Sequence, residues 1–300
     1  MRLTFLGTAG SWPTKERSAS ALALDLEREL VLLDCGEGTQ RQFFQSSVSF
    51  MRVRRIFISH FHGDHFLGLP GLIQSMSLNH REEPLDIYGP PDAREMVERA
   101  LGMGYFTLRF PVDVHPLSPG STVELEGYTV KTAAADHPVP ALAYRVEEEA
   151  HRGRFDGPKA RALGIHGRDF SHLEAGESVR VGDRLVAPEE VMGPPRAGRS
   201  VVYSGDTAPS DPVRRLSEKA TILVHEATVA QELEKEANSW GHSSARQAAE
   251  CARVAGVGAL FLTHFSARYK QLEPLEGEAR VVFAGSSVAR DLLDHLIRQP

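Results

Sequence analysis

Cysteine is almost missing from this chain: Cys35 and Cys251 are the only two in 300 residues. They give neither a disulfide framework nor a Cys-x-x-Cys metal knuckle, and free thiols suit a reducing cytosol. Long apolar runs are missing too, since no stretch approaches the ~20 apolar residues of a membrane span. At the N-terminus, Leu3-Thr4-Phe5-Leu6 is cut short by Gly7-Thr8-Ala9-Gly10, too little for a signal-peptide core. The expectation is a soluble, cytoplasmic protein with no membrane partner. An excess of positive charge is also lacking: 34 Lys and Arg against 40 Asp and Glu leave a net −6. Bulk charge therefore does not advertise a nucleic-acid partner, although a local basic patch can lie within an acidic total.

The apolar fraction of 41% and charged fraction of 25% are those of an ordinary globular chain, with ample material for a core. Short β-rich runs punctuated by glycine predict strands at 2–7, 21–26, 30–34, 55–59, 85–88, 122–125, 128–133, 141–146, 200–204, 221–224, 259–263 and 280–283. Helical spacing predicts helices at 39–46, 69–78, 92–101, 211–218, 244–254 and 287–297. Early hairpins and strand–helix alternation in both halves predict two sheets covered on the outside by helices, an α/β fold. Residues 147–199 differ. There the periodicity weakens and Gly, Pro and charge accumulate, as in an insertion projecting from the core. Between His151 and Arg168 this segment carries Arg152, Arg154, Lys159, Arg161 and Arg168, with Asp156 as its only acid.

The chemistry concentrates after the strand pattern Arg55-Ile56-Phe57-Ile58-Ser59, where His60, His62, Asp64 and His65 follow at once. Imidazoles and carboxylates are the usual zinc ligands outside thiolate sites. Four of them in six residues can face one point only if the loop coils, and Gly63 supplies the backbone freedom for it. Such a set can serve two metals if further ligands come from elsewhere. Asp136-His137-Pro138, Ser204-Gly205-Asp206-Thr207 and Thr263-His264-Phe265 each place a polar residue at a strand's C-terminal end, where α/β folds assemble their sites. Alone, each is a weak signal; with the cluster they complete a dinuclear site.

His-x-His-x-Asp-His, the later single His, Gly-Asp-Thr and the final His resemble the metallo-β-lactamase superfamily. That resemblance implies an αββα sandwich of two mixed sheets over residues 1–300, binding two zinc ions per subunit, with manganese or another divalent ion as the alternative. His60, His62 and His137 would hold one ion, Asp64, His65 and His264 the other, with Asp206 bridging. His225-Glu226-Ala227-Thr228, Trp240-Gly241-His242-Ser243-Ser244, Pro13-Thr14-Lys15-Glu16-Arg17, Asp34-Cys35-Gly36-Glu37-Gly38 and Phe265-Ser266-Ala267-Arg268-Tyr269 narrow the likeness. Together they resemble the short form of ribonuclease Z, the tRNA 3′-processing endonucleases, along essentially the whole chain.

The resemblance implies cleavage of precursor tRNA after the discriminator nucleotide, leaving a 3′-hydroxyl on the tRNA and a 5′-phosphate on the trailer. Asp64 would be ligand and general base, His242 the general acid, and Glu226 the carboxylate that holds and charges His242. Arg268, Lys15 and Arg17 would meet phosphates near the cut. Residues 147–199 would be a tRNA-gripping arm, with Arg152, Arg154, Lys159, Arg161 and Arg168 as phosphate contacts, in a homodimer where one arm serves the other active site. Two details depart from the family: Gly167-Arg168 stands where a Gly-Pro pair is usual, and His242-Ser243-Ser244 replaces His-Ser-Thr. The rival readings are a general phosphodiesterase or other ester hydrolase of the superfamily, which needs no arm, and a non-catalytic RNA-binding protein. The second predicts missing ligands, whereas every ligand position is filled. The other histidines (His80, His115, His151, His166, His172 and His295) are expected to be structural or surface residues.

Overall fold

The computed structural model describes every residue except His151 and Pro300, so His151 of the basic block lies outside the described residues. The first half holds strands β1 (Arg2–Gly7), β2 (Ala21–Asp25), β3 (Leu30–Leu33), β4 (Val53–Phe57), β5 (Leu85–Gly89) and β6 (Val112–Pro116). Interleaved with them are helices α1 (Thr39–Gln45), α2 (Gly63–Phe66), α3 (Leu69–Leu78) and α4 (Ala93–Leu101). β7 (Thr122–Leu125), β8 (Tyr128–Ala134) and β9 (Leu142–Glu148) follow. The inserted stretch contributes α5 (Gly157–Ala162), α6 (Asp169–Ala175), β10 (Val179–Val181) and β11 (Arg184–Val186). The chain closes with β12 (Ser200–Tyr203), α7 (Asp211–Leu216), β13 (Ile222–Glu226), α8 (Glu234–Ser239), α9 (Ala245–Ala255), β14 (Ala259–Thr263), α10 (Glu273–Val282), β15 (Ser286–Val288) and β16 (Asp294–Leu296).

Two seven-stranded mixed sheets result, in the orders β16-β1-β2-β3-β4-β5-β6 and β15-β14-β13-β12-β9-β8-β7. The run Leu30-Val31-Leu32-Leu33 shows why the strands read as continuous apolar stretches. All four side chains are buried, because an internal strand covered on both faces has no polar side. Val31 and Leu33 join Phe5, Phe57, Tyr144, Val201, Val224 and Phe261 in a core between the sheets. Leu30 and Leu32 turn the other way, into a cluster with Leu69, Leu72, Ile73 and Met76 of α3 and Val97 of α4. On the outside of the second sheet, Leu223, Leu260 and Leu262 pack against the alanine face of α9 (Ala245, Ala248, Ala249 and Ala252) and against Leu275 and Ala279 of α10.

Met1–Glu147 with Arg199–Arg298 forms one compact unit, and Glu148–Gly198 makes up nearly all of the other. This smaller unit has its own core of Ala160, Ile165, Leu173, Val179, Val186 and Val191. Asp156 caps α5 by accepting from the Lys159 amide at 3.0 Å, with Pro158 in the first turn. The segment that lacked periodicity is therefore ordered. Its elements are too short to print a pattern.

The C-terminal expectations require correction. Of residues 280–283, expected as a strand, 280–282 end α10 and Phe283 is its extended C-cap; residues 287–297, expected as a helix, hold most of β15 and all of β16. Val281 and Val282 favour a strand locally, but Val281 is 89% exposed while Leu275 and Ala279 are buried, a helical pattern. Glu276 and Arg280 add an i,i+4 ion pair at 2.8 Å. Beyond α10, pairing decides: β15 extends the second sheet beside β14, and β16 pairs antiparallel with β1. Sheet edges supply this bonding, and no local sequence signal carries it. Other elements were not foreseen: β6, an edge strand that tolerates Pro116, the one-turn α2, α8, and α5, α6, β10 and β11 of the insertion.

The helical assignment is testable. Leu275→Ala is expected to cost about 2–5 kcal/mol in urea unfolding. Val281→Ala should be neutral or slightly stabilising, because alanine is the better helix former. Destabilisation by both would restore the strand.

Candidate metal centre

Five strand ends converge on one point. β4 runs through Ile58 and Ser59 into His60, and His62, Asp64 and His65 follow at the start of α2. His137 follows β8, Asp206 follows β12, Glu226 ends β13, and His264 follows β14. The turn before Asp206 needs glycine: Gly205 has φ +57°, and a Cβ there would lie 2.7 Å from that of Ser59. His264 itself sits at φ +59°, a left-handed conformation that a non-glycine residue adopts only under surrounding constraint.

The ligand atoms fall into overlapping groups: His60, His62 and His137; His60, His65 and Asp206; Asp64, His65 and His264; and Asp206, His242 and His264. His62 Nδ1 lies 3.1 Å from both His60 Nε2 and His137 Nε2. His264 Nε2 lies 3.3 Å from Asp64 Oδ2 and 3.2 Å from Asp206 Oδ2. Asp206 Oδ2 is also 3.3 Å from His65 Nε2 and 3.7 Å from His60 Nε2, so this one oxygen adjoins both triads. These are the residues that the sequence pattern singled out, brought within one cluster.

Which ring nitrogens face inward follows from what holds the outward ones. His137 Nδ1 donates to the Gly241 carbonyl at 2.9 Å. His65 Nδ1 donates to Asp34 at 2.6 Å. Ser59 Oγ gives its proton to Asp34, so it accepts from His60 Nδ1 at 3.0 Å. Thr228 Oγ1 likewise gives its proton to Glu226 and accepts from His264 Nδ1 at 3.0 Å. In each case the outward hydrogen bond places a hydrogen on Nδ1 and turns Nε2 toward the centre, the orientation a metal ligand needs.

The charges divide. Burial, together with neighbouring imidazoles, holds His60 well below its usual pKa and thus neutral. Burial also opposes a charged His65, but the carboxylates of Asp206 and Asp34 prevail and raise it well above the usual histidine range. Burial alone would raise Asp206, but the adjoining imidazoles outweigh it and keep the carboxylate ionised. Asp206 Oδ1 is buried and has no hydrogen-bond partner. A buried carboxylate oxygen left without a donor among inward-facing ring nitrogens is costly unless a cation meets it, so the donor set fits divalent metal ions.

Beside the cluster, His242 Nδ1 lies 3.0 Å from Glu226 Oε1. Burial works against a charged His242, yet Glu226 prevails and lifts its pKa to about 9. Glu226 is itself fixed by the amides of Thr207 and Thr228 and by the Thr228 hydroxyl, at 3.0, 3.1 and 2.8 Å. His242 is also close enough to Asp206, at 3.8 Å, to count as a possible ligand.

Asp34 entered the sequence analysis only as part of a motif and was given no role there. It is fully buried and accepts from Ser59 N (2.6 Å), Ser59 Oγ (2.8 Å), His65 (2.6 Å) and Tyr203 Oη (2.8 Å). Its position after β3 was the same strand-end signal that pointed to the ligands. Arg17, expected at the tRNA acceptor end, needs correction. It is 8% exposed, and its Nη2 donates to the carbonyls of Tyr269 (2.9 Å) and Ser266, so its guanidinium is committed to the loop that carries Arg268. Lys15 and Arg268 are exposed, as are Arg152, Arg154, Lys159, Arg161 and Arg168 within the smaller unit. Arg152 is partly engaged, donating to the Glu174 carbonyl.

Comparison with known proteins adds family information. Residues 1–145 match the family described as anti-Pycsar protein Apyc1, and residues 190–265 the beta-lactamase superfamily domain. A ribonuclease Z from Methanothermobacter thermautotrophicus is 51% identical over 98% of this chain and 95% of its own length. A ribonuclease Z from Thermoplasma volcanium is 42% identical over 99% of this chain and 98% of its own. The crystal structure of the short form of human tRNase Z superposes with a TM-score of 0.73 at 28% identity, covering 99% of this chain and all of that one.

If Asp34 orients His65, Asp34→Asn should weaken metal binding by about 10–100-fold. Chelator competition on the purified protein measures this, and unchanged affinity would remove Asp34 from the centre.

Proposed function

The chain belongs to the ribonuclease Z family and has the metallo-β-lactamase fold, and we propose from that premise that it cuts precursor tRNA immediately 3′ of the discriminator nucleotide. It is an endoribonuclease of tRNA 3′ processing. In the finer reading, the products are a tRNA with a 3′-hydroxyl and a trailer with a 5′-phosphate. The observation that carries this reading is the Glu226–His242 pair at 3.0 Å beside the ligand cluster, because departure of a 3′-alkoxide calls for a proton donor at that position.

His60, His62 and His137 would hold one zinc ion and Asp64, His65 and His264 a second, with Asp206 between them; manganese is the alternative. Bound divalent ions would polarise the phosphodiester and the attacking water. Asp64 orients that water and takes its proton as the new oxygen–phosphorus bond forms. On the opposite side, the bond from phosphorus to the 3′-oxygen breaks, and His242 donates its proton to that oxygen. Glu226 keeps His242 charged and aimed until then. The Ser11 amide, donating to Asp64 Oδ2 at 2.7 Å, steadies the base.

The exposed cations of residues 148–198 would grip the tRNA body, contributing affinity and salt sensitivity without sequence choice. Lys15 and Arg268 would contact phosphates nearer the cut, and Arg17 would hold the Arg268 loop in place. In the homodimer, one subunit's arm would present tRNA to the other's centre. Among the described residues, no helix is long and apolar enough to cross a membrane, and the unpaired Cys35 and Cys251 suit a cytoplasmic protein.

The superfamily's general phosphodiesterases remain the specific rival, and two experiments separate the readings. Replacing residues 149–197 by a short Gly-Ser linker is expected to abolish precursor-tRNA cleavage while hydrolysis of a small aryl phosphodiester survives. Equal loss or equal retention of the two activities would sink the tRNA assignment. His242→Ala should lower turnover on precursor tRNA by ~10²-fold or more with metal content unchanged. Loss of metal in that variant would make His242 a ligand.

A further inference from the structure

Trp12 and Trp240 are the only tryptophans in the chain, and the mechanism above uses neither. Both are more than half exposed, at 61% and 53%. Single exposed apolar side chains are ordinary, but the anchoring of these two is not. Trp12 follows Ser11, whose amide donates to Asp64. Two residues back, the Gly10 amide donates to the Phe265 carbonyl at 3.0 Å. A Cβ on Gly10 would stand 2.8 Å from His264 Nδ1, so this loop lies directly on the Asp64–His264 half of the cluster. Trp240 precedes Gly241, whose carbonyl accepts from His137 Nδ1 at 2.9 Å. A Cβ on Gly241 would stand 2.7 Å from that nitrogen and 2.6 Å from Pro138 Cδ, so this loop lies on the His60–His62–His137 half. Each tryptophan is thus one residue from a backbone group hydrogen-bonded to a candidate ligand side chain, on loops that meet opposite halves of the centre.

Resting on the tRNA-processing reading, we infer that the two indoles clamp the unpaired bases on either side of the scissile bond, Trp240 against the discriminator base and Trp12 against the first trailer base. The substrate there is single-stranded, and every base offers a π face, so stacking on an exposed indole is sequence-tolerant. A processing enzyme must accept any discriminator and any trailer, and this is the recognition chemistry that allows it. The assignment of sides follows from the reaction. The leaving 3′-oxygen belongs to the discriminator nucleotide and lies toward His242, two residues after Trp240. The trailer stays on phosphorus through its 5′-oxygen, off the line of attack, which leaves its first base to the other indole, Trp12, whose preceding residue donates its amide to Asp64. Stacking at both points holds the phosphorus between base and acid in the line the displacement requires.

Cleavage by the metal-loaded enzyme, followed as kcat/KM, tests the clamp. The substrates are a precursor tRNA, the same RNA abasic at the discriminator, and the same RNA abasic at the first trailer nucleotide. Trp240→Ala and Trp12→Ala should each lower kcat/KM on the intact RNA by about 5- to 150-fold, the range of base–aromatic stacking. Metal content should be unchanged, and Trp→Phe should recover most of the loss. In the double cycle, an abasic discriminator should cause no further loss in Trp240→Ala but its full loss in Trp12→Ala, and an abasic trailer nucleotide the reverse. Losses that multiply on the paired abasic substrate, coupling to the opposite base, or effects of the Trp→Ala changes under about 3-fold would overturn the clamp. A wild-type enzyme that leaves intact precursor tRNA uncut would instead overturn the reading beneath it.

Discussion

A carboxylate with no access to water must be met by donors or it unravels its surroundings, and Asp34 is such a group. It stands at the end of β3 in the first sheet at φ +58° and accepts from Tyr203 of β12 in the second. The same two oxygens take the Ser59 amide and hydroxyl and the His65 ring. Through Ser59 the influence reaches His60. One buried charge therefore ties the two sheets together at the end where the ligands emerge, and it sets the proton on two imidazoles before any metal arrives. The remaining ligands repeat the device with other partners, the Gly241 carbonyl for His137 and the Thr228 hydroxyl for His264. The centre is preorganised because four of its five candidate ligand rings, all but that of His62, are held from behind.

Legibility in the sequence followed the range of the interaction. His60, His62, Asp64 and His65 lie within six residues, and their density was readable without any fold. His137, Asp206 and His264 were readable because each follows a strand whose apolar run is unbroken, and strand ends are where such folds converge. Asp34 shared that signal, yet a lone acid after a strand has many explanations, and only three-dimensional contact shows what it accepts. Arg17 failed for the opposite reason: an arginine in a polar loop reads as exposed, and nothing local announces that its partners are carbonyls 249 and 252 residues away. At the C-terminus, the valine pair in α10 and the helical spacing across β15 and β16 both pointed the wrong way, because edge pairing with β14 and β1 outweighed local preference.

The two units divide the work between two kinds of electrostatics. In the larger one, charges are buried, paired and directional, and salt barely screens them. In residues 148–198 the cations are exposed on a small core of their own, where screening is strong and each contact is weak. If the smaller unit grips tRNA as proposed, capture and chemistry can vary separately, since the hydrogen bonds around Asp34 and Glu226 are made by residues of the larger unit.

The ligand list also has an order in time. His60 to His65 are synthesised early, His137 before the insertion, Asp206 after it, and His264 only after β14. No shortened chain that stops before β14 carries the complete candidate set, and the left-handed turn at His264 packs against the Gly10 loop near the other end of the chain. If these residues hold the metals as proposed, a full complement would report that the chain has been made at least through His264 and that its two distant segments have met.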